Sequence, residues 1–283
     1  MKINKLSVFI LLIVFSYFFC PPVTSHQPLV TAFATSHQSL ATAFATSHQS
    51  LATVVQQTDW EAYKAHGHKN PKWDSFVEAG FSSFESGNLG SSEMFFQRAI
   101  TKGCDDGLVY MKIGSFYEAQ TNYKKAAEYL RKAVKRLAAQ YPSSELNSAA
   151  VEALGRCLYL MNDVEGATPY LEKAAATNEN FTALYFLGQI ARSKKDYQSA
   201  IALFVRALKA KHPAGLPLSI DILIMTELGK AYYEMKDFNS SLDWWNQILS
   251  FDPRNQAAIS YKQNIERARM KEEEKRVIQE IVK

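Results

Sequence analysis

The sequence predicts an all-α fold, an α-solenoid of antiparallel helix pairs closed by a C-terminal capping helix, and three observations carry that prediction. First, Gly107 to Gln140 reads as a helical hairpin. Tyr110, Ile113, Gly114 and Tyr117 fall at i, i+3, i+4 and i+7, and Ala126, Leu130, Ala133, Val134 and Leu137 repeat the pattern beyond the polar break Gln120-Thr121-Asn122. Second, Ala79-Gly80, Ile113-Gly114, Leu154-Gly155, Leu187-Gly188 and Leu228-Gly229 recur at glycine intervals of 34, 41, 33 and 41 residues. Recurrence at such periods marks stacked supersecondary units. Third, the chain from Asn255 to Lys283 contains neither glycine nor proline, so a single long helix is expected there.

Taken in order, the chain opens with Lys2 and Lys5 ahead of the apolar run Leu6 to Cys20. A basic start and an apolar stretch shorter than the roughly 20 residues of a membrane-spanning helix match a secretory signal sequence, residues 1–25, with small residues for cleavage at Val23-Thr24-Ser25. An uncleaved signal, or lipidation at Cys20, would instead attach the chain to a membrane. Tyr17-Phe18-Phe19, bulky where a lipidation signal wants small side chains, argue against the second. Residues 26–57 carry no charge and repeat an 11-residue unit, beginning at Ser25, Ser36 and Ser47, which reads as a flexible tether. His26, His37 and His48 recur because the unit is copied, and no metal is assigned to them. Cys104 and Cys157 fall about a repeat apart, so both are expected as unpaired, semi-buried thiols.

Residues 58–72 read as an N-terminal capping helix and turn. Thr58 and Glu61 form a capping box, the helix ends at Gly67, and Trp60 and Tyr63 supply an apolar side to cover the first repeat. His66 and His68 then lie in a solvated turn.

Residues 73–255 hold five copies of one pattern. The copies are carried by Phe76, Gly80, Phe84, Leu89, Ser92, Phe96 and Ala99; by Tyr110, Gly114, Tyr117, Tyr123, Ala126, Leu130 and Ala133; and by Val151, Gly155, Leu158, Val164, Ala167, Leu171 and Ala174. The last two are Leu184, Gly188, Ala191, Tyr197, Ala200, Phe204 and Ala207, then Met225, Gly229, Tyr232, Phe238, Ser241, Trp245, Ile248 and Pro253. In this the chain resembles the tetratricopeptide repeat (TPR) family, with five repeats in register over most of the mature protein. The resemblance implies a right-handed superhelix in which the glycine admits a neighbouring helix and the later alanines complete the close approach. Ser83 departs from the family aromatic, and the family proline is clear only at Pro253.

The longer intervals locate added material. Lys135 to Asn147 is expected to lengthen the second helix before Pro142, and the breaker-rich segment from His212 to Pro217 is expected to be a loop. In the final helix, residues 256–283, Ala258, Tyr261, Ile265 and Ala268 form a stripe able to cap the last repeat. Val277, Ile278, Ile281 and Val282 form a second apolar edge.

Function is constrained by what is missing. The formal charge of +4 is too small for a nucleic-acid footprint, and the sequence has no Gly-rich phosphate loop, HExxH, GxSxG or paired-cysteine zinc pattern. No enzyme activity and no cofactor are therefore expected. The family resemblance implies a protein or peptide partner bound in a concave groove lined by the first helix of each repeat. Carried over by position, the groove residues are Val77, Phe81 and Phe84; Met111, Ser115 and Glu118; Glu152, Arg156 and Tyr159; Tyr185, Gln189 and Arg192; and Thr226, Lys230 and Tyr233. The three cations among them suit a segment bearing carboxylates, and replacing Arg156 and Arg192 with alanine is expected to weaken binding without loss of stability. The chaperone-tail subclass of the family is excluded, since Val77 and Phe81 stand where its lysine and asparagine would be. Two other readings stay open: self-association through the C-terminal helix, and an all-helical periplasmic hydrolase using an acid such as Glu152, which a buried acid of raised pKa beside a second carboxylate would favour. Export to a bacterial periplasm or envelope is the expected location, with eukaryotic secretion as the alternative. Asn180 and Asn239 head glycosylation sequons, the latter expected in an exposed turn.

Overall fold

The computed structural model describes residues 59–141, 144–178, 180–210 and 218–282. The signal, the tether, the Thr58 half of the capping box, Pro142 and the 212–217 segment lie outside these residues. Among the described residues there are twelve helices and no strand. Residues 59–66 form α1. Five hairpins follow: α2 (Asp74–Glu85) with α3 (Leu89–Thr101), α4 (Gly107–Ala119) with α5 (Tyr123–Gln140), α6 (Ser144–Leu160) with α7 (Val164–Asn178), α8 (Phe181–Ser193) with α9 (Tyr197–Lys209), and α10 (Leu218–Glu234) with α11 (Phe238–Phe251). The last helix, α12, is Gln256–Ile281. From α2 onward, each helix packs on its sequence neighbour, most extensively within a hairpin, and α4, α6 and α8 also touch in succession. This is an all-α solenoid of helix pairs.

Each hairpin turns by the same chemistry. The residue before the second helix's N-cap is left-handed: Gly87 at φ 73°, Thr121 at 56°, Asn162 at 65°, Lys195 at 62° and Lys236 at 62°. An Asn or Asp follows, namely Asn88, Asn122, Asp163, Asp196 and Asp237, and its side-chain oxygen accepts the backbone N–H three residues on. The left-handed residue reverses the chain, and the carboxamide or carboxylate satisfies one of the orphan donors of the new helix.

Packing within the hairpins depends on the recurring glycines. A Cβ at Gly80 would stand 2.6 Å from the Phe96 ring, at Gly114 2.7 Å from Leu130, at Gly155 2.9 Å from Leu171, at Gly188 2.5 Å from Phe204, and at Gly229 2.6 Å from Trp245. All five large partners are buried, so none can swing aside. In two copies the family alanine is a serine: Ser92 and Ser241 each donate to the carbonyl of the facing glycine, Gly80 and Gly229, at 2.8 Å. The hydroxyl therefore enters the core with its hydrogen bond made. Gly114→Leu, and even Gly114→Ala, is expected to cost about 1–3 kcal/mol through overpacking. Gly90 has no atom within 4 Å of an added Cβ, so Gly90→Ala should leave the melting temperature unchanged or raised, which makes it the control.

The added residues lengthen helices on both sides of the 142–143 segment, α5 to 18 residues and α6 to 17. The stripe on α12 packs as expected, with Ala258 and Ile265 buried against hairpin five and Tyr261 stacked on Trp245 at 4.6 Å. Beyond it Ile278, Ile281 and Val282 are exposed. Cys104 and Cys157 are free and buried, and burial pushes the Cys104 thiol up to about 12. Asn239 is exposed as expected, but in the first turn of α11 rather than in the turn before it; it accepts from Arg269 Nη2 at 2.6 Å, and its sequon partner Ser241 is buried. Asn180 caps α8 through its side chain.

Candidate functional site

The inward positions of α2, α4, α6, α8 and α10 form three patches with different chemistry. In the first patch Val77, Phe81 and Met111 are buried and Phe84 is half-buried. Their cover is α1. Trp60 packs on Phe81 at 5.4 Å between ring centroids, and Tyr63 packs on the same ring at 5.9 Å. Asp59 reaches α4, where its carboxylate lies 2.5 Å from the Lys112 ammonium, both groups almost wholly buried. That ammonium also stands 4.3 Å above the Phe84 ring, a cation–π geometry. The apolar opening of the expected groove is thus occupied by the chain itself.

The second patch is an ion triad. Arg156 on α6 donates through Nε and Nη2 to the two carboxylate oxygens of Glu118 on α4, at 2.5 and 2.9 Å, and through Nη1 to Glu152 one turn back on its own helix. The guanidinium is 2% exposed. Burial pushes the Glu152 carboxyl above its usual range, repulsion from Glu118 adds to this, and Arg156 opposes it. Attraction to both carboxylates raises the Arg156 guanidinium further, against the cost of its burial. Ser115 donates to the Met111 carbonyl within α4. A buried acid of raised pKa beside a second carboxylate is what a hydrolase would show. Here the guanidinium stands between the two acids and bridges α4 of hairpin two to α6 of hairpin three.

The third patch is a polar relay on α8 and α10. Gln189 donates to the Tyr185 hydroxyl at 2.7 Å and accepts from Arg192 at 3.1 Å. Arg192 lies 3.1 Å from Glu227, and Lys230 donates to the same carboxylate at 2.8 Å. The Arg192 Nε and Glu227 Oε2 atoms are close without forming a hydrogen bond to each other. Arg192 and Lys230 remain 27% and 23% exposed, whereas Glu227 is 4% exposed. Tyr159 packs on Phe186 at 5.1 Å, and Tyr233 on Tyr261 at 5.3 Å. Burial pushes the Tyr159 phenol up to about 12. Thr226 bonds back to the Ile222 carbonyl.

The three cations expected to suit a carboxylate-bearing segment are each paired with an acid of the chain itself. Glu118, Glu152 and Glu227 neutralise Arg156, Arg192 and Lys230 in sum, and Arg156 is spent wholly inside the fold. Replacing it with alanine would therefore cost stability as well. Sequence reasoning missed Asp59, Lys112 and Glu227. Lys112 had a signal, a cation inside the stretch Gly107 to Gly114 whose every residue is buried. Glu227 had a weaker one, three residues ahead of Lys230 on the same helix.

A solenoid of helix hairpins whose first helices share one face defines a class of repeat protein. Models of the tetratricopeptide repeat match residues 108–136 and 153–215, so the chain carries tetratricopeptide repeats there. A comparison with curated protein sequences gives no significant match. Among solved structures, the fold is similar to YrrB, a TPR protein with an unusual peptide-binding site, at 16% identity and a TM-score of 0.55 over 72% of this chain and 97% of that one. It is also similar to MamA residues 41 to the end from Desulfovibrio magneticus RS-1, at 15% identity and a TM-score of 0.54 over 67% and 99%. The APC/C hetero-tetramer Cut9–Hcn1 is similar at 16% identity and a TM-score of 0.53, over 77% of this chain and 39% of that one. Repeats of this family build protein–protein interaction scaffolds, and this chain is one.

Proposed function

We propose that the protein is a non-enzymatic scaffold, exported from the cytoplasm, that holds an extended protein segment against the first-helix face of hairpins three to five and serves in assembling an envelope complex. One observation carries the choice of surface: Tyr159, Arg192, Lys230 and Tyr233 reach solvent from that face, while its front is covered by α1 and its middle closed by the Arg156 triad. Two partly exposed cations around one buried carboxylate leave a local surplus of one positive charge. Flanking tyrosines add flat, rigid contact area, so an extended segment with a carboxylate beside an apolar side chain fits the chemistry. YrrB, on a similar fold, has a peptide-binding site, and a peptide ligand is in keeping with that. Export rests on Lys2, Lys5 and the apolar run that follows, and the SHQ repeats would act as the tether.

Affinity capture from the native cell extract tests the reading. The wild-type chain should retain a protein partner that the Arg192→Ala/Tyr233→Ala variant loses by about tenfold, equivalent to about 1.4 kcal/mol. Lys209→Ala, exposed on α9, should retain it. Equal recovery with all three proteins would overturn the assigned face.

A further inference from the structure

We propose that α1 is a releasable intramolecular ligand of the α2–α4 face, and that this face binds in trans a segment of the same chemistry, a carboxylate followed by two aromatic side chains on one helical face. The inference is independent of the rear-face reading above, because it concerns a different patch.

The receptor is built before α1 is considered. Val77 and Phe81 form an apolar floor, and Lys112 places a cation at its edge, over the Phe84 ring. A buried ammonium without a counter-ion is costly, so such a pocket selects for a carboxylate, and its aromatic floor for a flat apolar group beside it. The sequence Asp59-Trp60-Glu61-Ala62-Tyr63 supplies both. Asp59 meets the ammonium, Trp60 and Tyr63 meet Phe81, and Glu61, Lys64, Ala65 and His66 are exposed.

The attachment is narrow. The side chains that α1 turns to the α2–α4 face are Asp59, Trp60 and Tyr63, and Glu61, Lys64 and Ala65 leave its other side in solvent. The turn behind it is anchored separately: Trp73 Nε1 donates to the His68 carbonyl at 3.0 Å and Asn70 N–H to the Asp74 carboxylate at 2.9 Å. Gly67 sits between the anchored turn and the helix. An occupant held by Asp59, Trp60 and Tyr63, with an edge contact of His66 on Tyr141 at 6.3 Å, lies on one side of a glycine and can leave without unfolding the turn on the other. The Tyr63 hydroxyl bridges the two parts, at 3.3 Å from Asp74, so its removal loosens the helix.

The test uses full-length protein and a fluorescent synthetic peptide of residues 56–66, QQTDWEAYKAH. The peptide should bind the Trp60→Ala/Tyr63→Ala protein at least about tenfold more tightly than wild type, whose site is filled. Adding Lys112→Met to that protein, or changing Asp59 to Asn in the peptide, should remove most of the gain. Native-state hydrogen exchange on the unaltered protein gives a second measurement, in which amides of 59–66 should exchange at least about tenfold faster than those of α2 and α4. Protection of α1 equal to α4 would overturn the proposal, because the helix would then be an integral cap. Failure of the peptide to bind the Trp60→Ala/Tyr63→Ala protein, or binding unaffected by Lys112→Met, would overturn it too.

Discussion

Arg156→Leu should destabilise the protein by about 3–5 kcal/mol, the usual consequence of removing one partner from a buried ion pair. The loss comes less from the missing contacts than from what they leave behind. Glu118 and Glu152 would face each other across the vacated site without the guanidinium between them, Glu152 buried and Glu118 partly so. Urea denaturation should show a lowered midpoint. The triple variant Glu118→Leu/Glu152→Leu/Arg156→Leu should recover much of the loss, because no charge is then stranded. If the single and triple variants were equally unstable, packing of the arginine stem would be the cause and the triad would be incidental.

The same triad sets a pH dependence. Burial holds the Glu152 and Asp106 carboxyls above their usual range, although Asp106 accepts from Tyr141 and from the Leu108 and Val109 amides. A carboxyl raised on folding binds its proton more readily in the folded state. Its contribution to stability is full below the ordinary carboxylate pKa, about 4.3 for Glu and 3.9 for Asp, and is lost as pH rises through the raised value. Stability should therefore rise as pH falls through the raised carboxyl range toward the ordinary carboxylate pKa, and Glu152→Gln should flatten part of that slope.

Trp245→Ala should cost about 3–5 kcal/mol. The ring is fully buried, fills the space left by Gly229, donates from Nε1 to Ser241 Oγ at 3.0 Å, and stacks on Tyr261 of α12. A solenoid is coupled chiefly between nearest neighbours, so the damage should stay local. Amides of α11 and α12 should lose exchange protection while those of α4 and α5 keep theirs. Uniform loss along the chain would show that the hairpins unfold as one unit.

The expected groove residues illustrate how far a sequence pattern reaches. Position within the repeat placed Val77, Phe81, Arg156 and Tyr233 correctly on the first helices. The cover expected from Trp60 and Tyr63 falls on Phe81, but position did not reveal that Glu118 and Glu152 hold Arg156, or that Tyr233 meets Tyr261. A repeat pattern reports which way a side chain leaves its own helix. What it meets depends on a neighbour from another part of the chain. Glu118 and Arg156 are 38 residues apart, and nothing local couples their identities.

Read alone, the sequence determined the helix pairs, their turns and their register. Each glycine implies a large residue from the partner helix against it, and each polar break carries an Asn or Asp that caps the next helix, so steric and hydrogen-bonding rules operate within one hairpin. Only the tertiary structure decided which charges are free. Lys112 found Asp59, Arg156 found two acids, and Glu227 drew Arg192 and Lys230 together, because a charge taken out of water is satisfied by whichever opposite charge the fold brings within reach.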